Sequence, residues 1–260
     1  MRFLFYDRSD EISNGIGNAV LGQLDLDETK FGEHVAFTNG SIMVVELNQR
    51  IIFTDELVKG ITKDPIIFLS RHVSADNVEA LTVHPTGNWS NVAEYGGEPK
   101  ALSVADPYMM ANLLRGLAEL NTIEFEVTYE ATHHGPKTNA PSLFIEAGGP
   151  KSINPHAYTI VAQAIVKALE RQEEVGEVAM GIGSGHYPSK FTKQALESKY
   201  AMSHMMPKYM CDNLDMLGEA AVRSSPQANK ALIDWKGLKS SQRSSIISVL
   251  NDLGIDHVRI

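Results

Sequence analysis

The sequence predicts a layered α/β protein with a mixed sheet, and two observations support this prediction. Short apolar runs alternate with helical patterns over all 260 residues, which is typical of layered α/β architectures. The apolar runs are also of two kinds. PIIFLS and EVAMGIG, at 65–70 and 177–183, are continuously apolar, as expected of strands covered on both faces. TIEFEVTYE, at 122–130, alternates apolar and polar residues, which indicates an antiparallel or edge strand.

Eight short segments are predicted as strands. They cover residues 3–6, 42–47, 66–70, 79–84, 122–129, 142–146, 177–182 and 255–260. In the alternating strand, Ile123, Phe125, Val127 and Tyr129 share one parity. Because successive side chains of a strand point to opposite faces, this set is predicted to be buried and the other parity to be polar.

Helix starts are marked by a capping residue followed by proline. The cap side chain accepts an N–H that has no partner within the helix, and the proline stands where no N–H is needed. Asp106, Asn154 and Ser225 each precede a proline, so helices are predicted from these points, the third near Leu232. A further helix over 241–253 is predicted to end at Gly254 in a left-handed cap.

Length and composition favour one folded unit. The chain has 43% hydrophobic and 21% charged residues, which excludes disordered, collagenous and coiled-coil classes. No Pro/Gly/Ser linker is apparent, so we expect a single compact unit over 1–260, and any two lobes would meet near 120–130. No apolar run approaches the roughly 18 to 20 residues of a membrane span, and the amino end lacks the pattern of a signal peptide. We therefore expect a cytoplasmic protein.

Acidic residues are concentrated in the first half of the chain. Residues 1–130 contain 9 Lys and Arg against 20 Asp and Glu, whereas residues 131–210 contain 8 against 6. A globally acidic protein binds nucleic acid poorly without specific contacts, because phosphate contacts dominate that affinity. We therefore expect no DNA binding, while a locally basic face remains available for a particular RNA.

Histidines lie at four of the predicted strand-to-loop transitions. They are His72, His84, the pair His133 and His134, and His186. Sheet enzymes keep their sites beyond strand ends, so four such positions favour a site over isolated core histidines. The single cysteine, Cys211, cannot form a Cys-rich zinc site, and Glu146 ends a fifth strand. Imidazole and carboxylate together allow either a zinc site or acid–base catalysis, although neither H-x-x-E-H nor H-E-x-x-H is present.

The adjacent histidines are distinguished by strand parity. If the strand at 122–129 continues to Gly135, His133 falls on the buried parity and His134 on the polar one. Only His134 would then face the substrate. A bulge or an early turn would reverse this assignment.

The glycine-rich block GIGSGH at 181–186 is a poor dinucleotide-binding motif, because His-Tyr-Pro follows it instead of a helix start. A tight loop that admits a ligand to the backbone, or a turn that clears a neighbouring helix, fits the block equally well. Ser184 lacks the helix that follows a nucleophile elbow, which disfavours a serine hydrolase.

Four blocks in one order carry a family resemblance. They are SRH with LTVHPTGNW at 70–72 and 81–89, EATHHGP with SLFIEAG at 130–136 and 142–148, GIGSGHY at 181–187, and HMMPKY at 204–209. Together they resemble the archaeal and plant type of D-aminoacyl-tRNA deacylase over about residues 70–210. The double-histidine block and GIGSGHY are the most specific of the four. In that family GHY is usually followed by Ala-Pro-Arg, whereas Pro188-Ser189-Lys190 follows it here.

The resemblance implies a three-layer α/β/α fold of the phosphorylase/hydrolase-like kind. It also implies hydrolysis of the ester between a D-amino acid and tRNA, dependence on zinc, and action as a monomer. D-aminoacyl-tRNA is the implied partner. A metal-dependent peptidase or amidohydrolase, and an RNA-binding module without activity, are the alternatives.

Site residues follow from the resemblance and the strand-end positions together. The predicted catalytic residues are His133, His134, His186 and Glu146. The predicted ligands of a metal or of the catalytic water are His72, His84, His133 and Glu146. Gly183 and Gly185 are expected at the terminal adenosine or the oxyanion. Lys190 and Lys208 are expected at acceptor-stem phosphates, which position the RNA without reading its sequence.

Overall fold

The structure, a computed structural model, describes residues 1–73, 77–171, 174 and 176–260. The strands in these ranges are β1 (Arg2–Asp7), β2 (Asp27–Phe31), β3 (His34–Thr38), β4 (Ile42–Leu47), β5 (Ile66–His72), β6 (Ala80–His84), β7 (Gly87–Asn88), β8 (Ala101–Leu102), β9 (Val104–Ala105), β10 (Glu126–Tyr129), β11 (Pro141–Gly148), β12 (Glu177–Ser184), β13 (Tyr200–Pro207), β14 (Lys230–Ile233) and β15 (Asp256–Arg259). The α-helices are α1 (Glu11–Leu21), α2 (Asp55–Val58), α3 (Pro107–Leu120), α4 (Pro155–Arg171), α5 (Ser189–Leu196), α6 (Leu217–Val222) and α7 (Ser240–Asp252).

A large mixed sheet has the strand order β10-β6-β11-β5-β1-β4-β3-β2, with β9 paired to β11. Its centre is parallel, since β1 pairs with β4 and β5 in parallel and β11 pairs with β5 in parallel. Strand β6 runs antiparallel to β11, and β2, β3 and β4 are joined antiparallel. The predicted mixed α/β class is therefore confirmed.

A second sheet, which the sequence did not predict as separate, has the order β13-β12-β14-β15, and its strands are all parallel. Helix α3 contacts β6 of the large sheet and β13 of this one, so it lies between the two sheets. One hydrophobic cluster accordingly contains Leu81 and Ile145 of the large sheet together with Met202 and Leu232 of the second. Burial of shared apolar surface joins the sheets.

Most predicted elements are present. Asp106 caps α3 by accepting from the Met109 N–H, and Gly254 follows α7 with a φ of +67°. The alternating strand is confirmed at the edge of its sheet, as β10, but it begins only at Glu126 and pairs with β6 in parallel. No helix in the described part of the chain is long and apolar enough to span a membrane.

The prediction of a helix after Ser225 is wrong. Residues 225–229 are not helical, and Leu232 lies in β14, where it pairs with Gly181 on one side and Val258 on the other. The apolar run from Ala231 to Ile233 is fully buried. A short apolar run of this length is typical of a strand covered on both faces, and periodicity alone does not distinguish it from a buried helix segment.

Candidate functional site

Three neighbouring strands place polar side chains on one face of the large sheet. Glu146 of β11 lies opposite Ser70 of β5 and Thr82 of β6. Because side chains alternate along a strand, Glu146 shares its face with His72 and His84, which end β5 and β6. Glu146 Oε2 lies 3.7 Å from His72 Nδ1 and 3.8 Å from His84 Nε2. The strand-end histidines thus meet across the face of the sheet rather than beyond one edge, since β6 runs antiparallel to its neighbour.

Glu130 lies at the centre of this cluster and was missed by the sequence reasoning. It follows β10 directly, and its side chain is 1% exposed. Its Oε2 accepts a hydrogen bond from His186 Nε2 at 2.9 Å and lies 3.7 Å from His133 Nε2. Its Oε1 forms an ion pair with His72, at 3.0 Å from His72 Nδ1. The polar parity of the alternating strand, which includes residue 130, was the signal that could have identified it.

The segment after β10 leaves the sheet, which overturns the parity argument for the two histidines. The strand ends at Tyr129, and His134 has a φ of +42°. Both His133 and His134 line the same cavity, so His133 is not the buried partner that an extended strand predicted. The turn is held by hydrogen bonds from outside it, because Trp89 Nε1 donates to the Thr132 carbonyl at 3.0 Å and the Gly87 N–H donates to the His134 carbonyl at 2.8 Å.

The same segment is also bonded to the second sheet. The Ala131 N–H donates to the His186 carbonyl at 2.8 Å, and the Thr132 N–H donates to the Met205 carbonyl at 3.0 Å. Together with the side-chain bond from His186 to Glu130, these contacts bring the loop after β12 against the large sheet. The second sheet therefore supplies His186 to a site that is otherwise built on the first.

Three of the histidines contact a backbone carbonyl through the same ring nitrogen. Nδ1 of His84 lies 3.2 Å from the Pro85 carbonyl, Nδ1 of His133 lies 2.8 Å from the Ala131 carbonyl, and Nδ1 of His134 lies 2.6 Å from the Gly135 carbonyl. A carbonyl only accepts, so each Nδ1 carries a proton, and Nε2 is the nitrogen of each ring that can bind a metal when it is deprotonated. One ligand nitrogen of each ring lies within 4.8 Å of those of the other two, and His84 Nε2 is buried without a hydrogen bond to any residue that the structure describes. This donor set fits a zinc ion.

Two further groups of three can be drawn from the described residues. One joins Glu130, His133 and His186, and the other joins His72, Glu130 and Glu146. The four predicted metal ligands are therefore divided between groups, because His84 and His133 belong with His134 whereas His72 and Glu146 belong with Glu130.

The buried groups determine each other's charge. Burial opposes charge on His72, but Glu130 and Glu146 outweigh it and raise the pKa of His72 to about 10, so the ring is an imidazolium at neutral pH. Burial opposes charge on the two carboxylates as well, yet their histidine neighbours lower the pKa of Glu146, and lower that of Glu130 well below its ordinary value. Burial and neighbouring imidazoles lower the pKa of His133 strongly and that of His134 to about 4, so both are neutral.

His84 differs from the other two members of its group. Burial again opposes charge, but Glu146 and Glu130 raise the pKa of His84. A proton and a metal ion would compete for the same nitrogen, His84 Nε2. The carboxylates that favour the proton there favour any cation.

A cavity of about 380 Å³ opens onto the cluster, a size that accommodates a small ligand. Five residues of the cluster line this cavity, namely His72, Glu130, His133, His134 and Glu146. The remaining wall comes from the end of β1, the start of α1, the end of β5 and two loops, through Asp7, Asp10, Ser13, Arg50, Ile51, Ile52, Ser70, Arg71, Val73 and Tyr95.

The predicted RNA-binding residues lie around the loop after β12. Gly183 has a φ of +96°, and a Cβ there would lie 2.7 Å from Leu238, so only glycine fits. A Cβ at Gly185 would meet nothing within 4 Å.

Lys190 is already bonded within the protein, since its Nζ lies 2.7 Å from Asp234 Oδ1 and donates to the Ile260 carbonyl. Lys208 is exposed in the turn that follows β13. Neither the glycines nor the lysines form part of the cluster itself, and their roles stay predictions.

His204 is fully buried and contacts the segment after β10 that carries His133 and His134. Its Nε2–H donates to the Ser103 and Arg223 carbonyls at 3.0 and 2.9 Å, and its Nδ1 accepts from the Thr132 hydroxyl at 3.2 Å. Burial lowers the pKa of His204 to about 4, so the neutral ring is the folded form.

We expect this histidine to destabilise the protein in acid. Below about pH 6.5 the unfolded chain binds a proton at His204 that the folded chain does not bind until about pH 4, so stability falls as the pH falls through this window. The loss amounts to about 3 kcal/mol from this group. Chemical denaturation from pH 7 to pH 4 should show a shallower decline in His204→Gln than in the exposed-site control His156→Gln. Equal declines of stability in the two variants would contradict this role of His204.

Comparisons with known proteins give one consistent result. Residues 59–258 match the family model described as D-aminoacyl-tRNA deacylase. Curated relatives of that name from Thermococcus onnurineus and Pyrococcus furiosus are each 35% identical to this chain, with all of both chains covered. A relative from Ignicoccus hospitalis is 39% identical over 74% of this chain and 80% of its own length. A crystal structure of a conserved protein of unknown function has a TM-score of 0.91 and 29% identity, and the match covers 100% of this chain and 95% of that one.

Proposed function

Because the chain belongs to the D-aminoacyl-tRNA deacylase family, we propose that it hydrolyses the ester bond of D-aminoacyl-tRNA to free D-amino acid and tRNA. The observation that carries the proposal is the contact of His186 with Glu130 beside a cavity lined by neutral histidines. An aminoacyl ester is already activated, so its hydrolysis requires a positioned water, a base and stabilisation of the oxyanion.

His186 is the proposed general base. The lowered pKa keeps Glu130 ionised, and a carboxylate only accepts, so His186 Nε2 carries the proton that it donates to Glu130. His186 Nδ1 is then the acceptor, and the Tyr209 hydroxyl donates to it at 3.4 Å. The side chain of His186 is 34% exposed, which gives water access to it. A base oriented by a buried carboxylate is the arrangement that general-base hydrolysis requires.

His72 offsets the negative charge of the cluster. As an imidazolium it lies between Glu130 and Glu146, and its Nε2–H donates to the Tyr187 hydroxyl at 2.9 Å. Two carboxylates alone would repel the oxyanion that forms during ester hydrolysis. The cation reduces that repulsion at the wall of the cavity.

Zinc is the cofactor that the donor set favours, and His84, His133 and His134 would hold it. When bound, zinc would supply Lewis-acid chemistry, which polarises an ester carbonyl and lowers the pKa of water. The support is the set of three rings whose Nδ1–H groups are already used by backbone carbonyls. Carbonyls that fix the tautomer in this way are typical of histidine ligands.

The glycine loop and the lysines beside it are proposed to receive the tRNA end. Gly185, where a Cβ would meet nothing within 4 Å, leaves the backbone open to the terminal adenosine next to the base His186, while the positive φ of Gly183 shapes the loop. We expect Lys208→Ala to weaken tRNA binding and to lower the salt slope of binding by about 0.7 to 0.9, the value of one lost phosphate contact. Lys190→Ala should act in the same direction but more weakly, because Lys190 Nζ is already bonded to Asp234 Oδ1 and the Ile260 carbonyl. Binding measured over a salt series, with the exposed-site variant Lys63→Gln as control, tests this, and an unchanged slope in both variants would place the RNA on another face.

The decisive experiment is release of amino acid from charged tRNA by purified protein. We expect free D-amino acid from D-aminoacyl-tRNA and little release from the L-aminoacyl ester. Hydrolysis of peptides or amides without tRNA binding would instead indicate a small-molecule hydrolase. Binding of tRNA without hydrolysis of any ester would indicate an RNA-binding module.

A further inference from the structure

Two arginines share one tryptophan on the second sheet. The guanidinium carbon of Arg259 lies 4.0 Å from the centre of the Trp235 ring, and that of Arg243 lies 4.8 Å from it. Neither guanidinium forms a hydrogen bond or ion pair with any described residue, and Arg243 Nε is buried without a partner. Two like charges held beside one ring repel each other. The tryptophan attracts both, but it leaves their N–H donors unused.

This arginine pair lies close to the proposed base. Trp235 begins a 3₁₀ turn, Trp235–Gly237, that follows β14, and the turn packs against the end of β12. The Asp234 N–H donates to the Ile182 carbonyl at 2.9 Å, and a Cβ at Gly237 would lie 2.5 Å from the Gly183 carbonyl oxygen. His186 comes three residues after Gly183, and three residues of extended chain reach at most about 10 Å. Because β12, β14 and β15 are parallel, the pair lies at the same end of the second sheet as the loop that carries His186.

The charge around the pair is positive. Lys236 and Lys239 are exposed beside it, and Arg259 is exposed as well. Asp234, the acidic residue of this turn, is already paired with Lys190. A phosphate oxygen that accepts from either guanidinium would use donors that are otherwise unused and would offset the positive charge of the pair. Phosphate suits this arrangement because guanidinium groups match its geometry.

We propose that Arg243, Arg259 and Trp235 form a phosphate-binding site for the acceptor arm of tRNA. This inference rests on the proposed function. A polynucleotide is the occupant that the surface favours, because the site is open, is flanked by further cations, and adjoins the glycine loop where the 3′ end would enter. Residues 1–130 contain 20 Asp and Glu against 9 Lys and Arg, so that half of the chain disfavours a polyanion and the basic patch would orient the RNA. Phosphate contacts of this kind fix the position of a nucleic acid without reading its sequence.

Binding of uncharged tRNA over a salt series tests the site without relying on hydrolysis. We expect Arg259→Gln and Arg243→Gln each to weaken binding by about three- to tenfold and to lower the salt slope by about 0.7 to 0.9. Arg259→Lys should recover part of the affinity, because it keeps the charge and loses the fork of donors. Lys30→Gln, at the far edge of the large sheet, is the matched control. If Arg243→Gln fails to fold, the test depends on Arg259→Gln alone, because Arg259 is exposed.

A second measurement separates the site from the chemistry. Hydrolysis of a D-aminoacyl-adenosine ester, which lacks the acceptor arm, should be unchanged in Arg259→Gln. Wild-type affinity and salt slope in both glutamine variants would overturn the inference while leaving the deacylase activity intact. Weakened tRNA binding in the variants of a protein that releases no D-amino acid would support the phosphate site and contradict the proposed function.

Discussion

Replacing Glu130 by glutamine is expected to reduce the turnover of D-aminoacyl-tRNA by about 10²- to 10⁴-fold, the range for a lost acid–base function. Glutamine keeps the size of the side chain but removes the charge that fixes the His186 tautomer and balances His72. Its amide can present an N–H to His186, so the ring can turn its lone pair inward, away from the water. The substrate does not need Glu130 for binding in this scheme, so kcat should fall and KM should change little.

Glu98→Gln provides the control for this experiment. Glu98 is an exposed carboxylate that pairs with Lys137, and it lies outside the cluster. We expect wild-type kinetics from it. Thermal melts of both variants separate catalysis from folding, since a buried carboxylate also supports its neighbours. A folded Glu130→Gln enzyme with wild-type kcat would contradict the role given to His186, because that role depends on the orienting carboxylate.

Removal of zinc is the second large effect we expect. Protein purified without added metal should contain zinc by elemental analysis, and exhaustive chelation should abolish ester hydrolysis until zinc is restored. The physical reason is the donor set, in which the Nδ1–H groups of three rings are used by backbone carbonyls and Nε2 of each ring is left to bind a metal. Full activity after complete removal of the metal would contradict the cofactor and leave acid–base catalysis by His186 alone.

Metal content also identifies which residues bind it, because each group of three has a member that the others lack. His84→Asn removes the all-histidine group, His186→Asn removes the group with Glu130 and His133, and Glu146→Gln removes the group with His72. We expect zinc to be lost from His84→Asn and retained by the other two variants. Zinc retained by His84→Asn and lost from Glu146→Gln would move the metal to the carboxylate-rich group.

Local signals in the sequence predicted much of the fold. The cap at Asp106, the left-handed Gly254 and the continuous apolar strands were confirmed because each depends on a few neighbouring residues. The run that contains Leu232 was misassigned, since a buried strand and a short helix present the same apolar letters. The division into two sheets depends on pairing between distant strands, and composition does not record this pairing.

The site was predicted in its residue types more than in its geometry. The histidines and Glu146 do meet, whereas Glu130, which contacts three of these histidines, was not predicted. The parity argument for His133 and His134 was wrong because the strand ends at Tyr129. Beyond that point, hydrogen bonds from Trp89 and Gly87 hold the backbone in place of strand pairing. Such contacts link segments about forty residues apart. A local pattern therefore does not contain them.

The backbone bonds that join the segment after β10 to the second sheet have a consequence for hydrogen exchange. The amides of Ala131 and Thr132 donate to carbonyls of His186 and Met205, so neither amide can exchange with solvent until the two sheets separate there. The amides of β5 and β11 are bonded within the large sheet and exchange by a different opening. Exchange at Ala131 and Thr132 thus reports how often the contact between the His186 loop and the large sheet breaks in the resting protein, and deuterium uptake over 130–134 measures that opening directly.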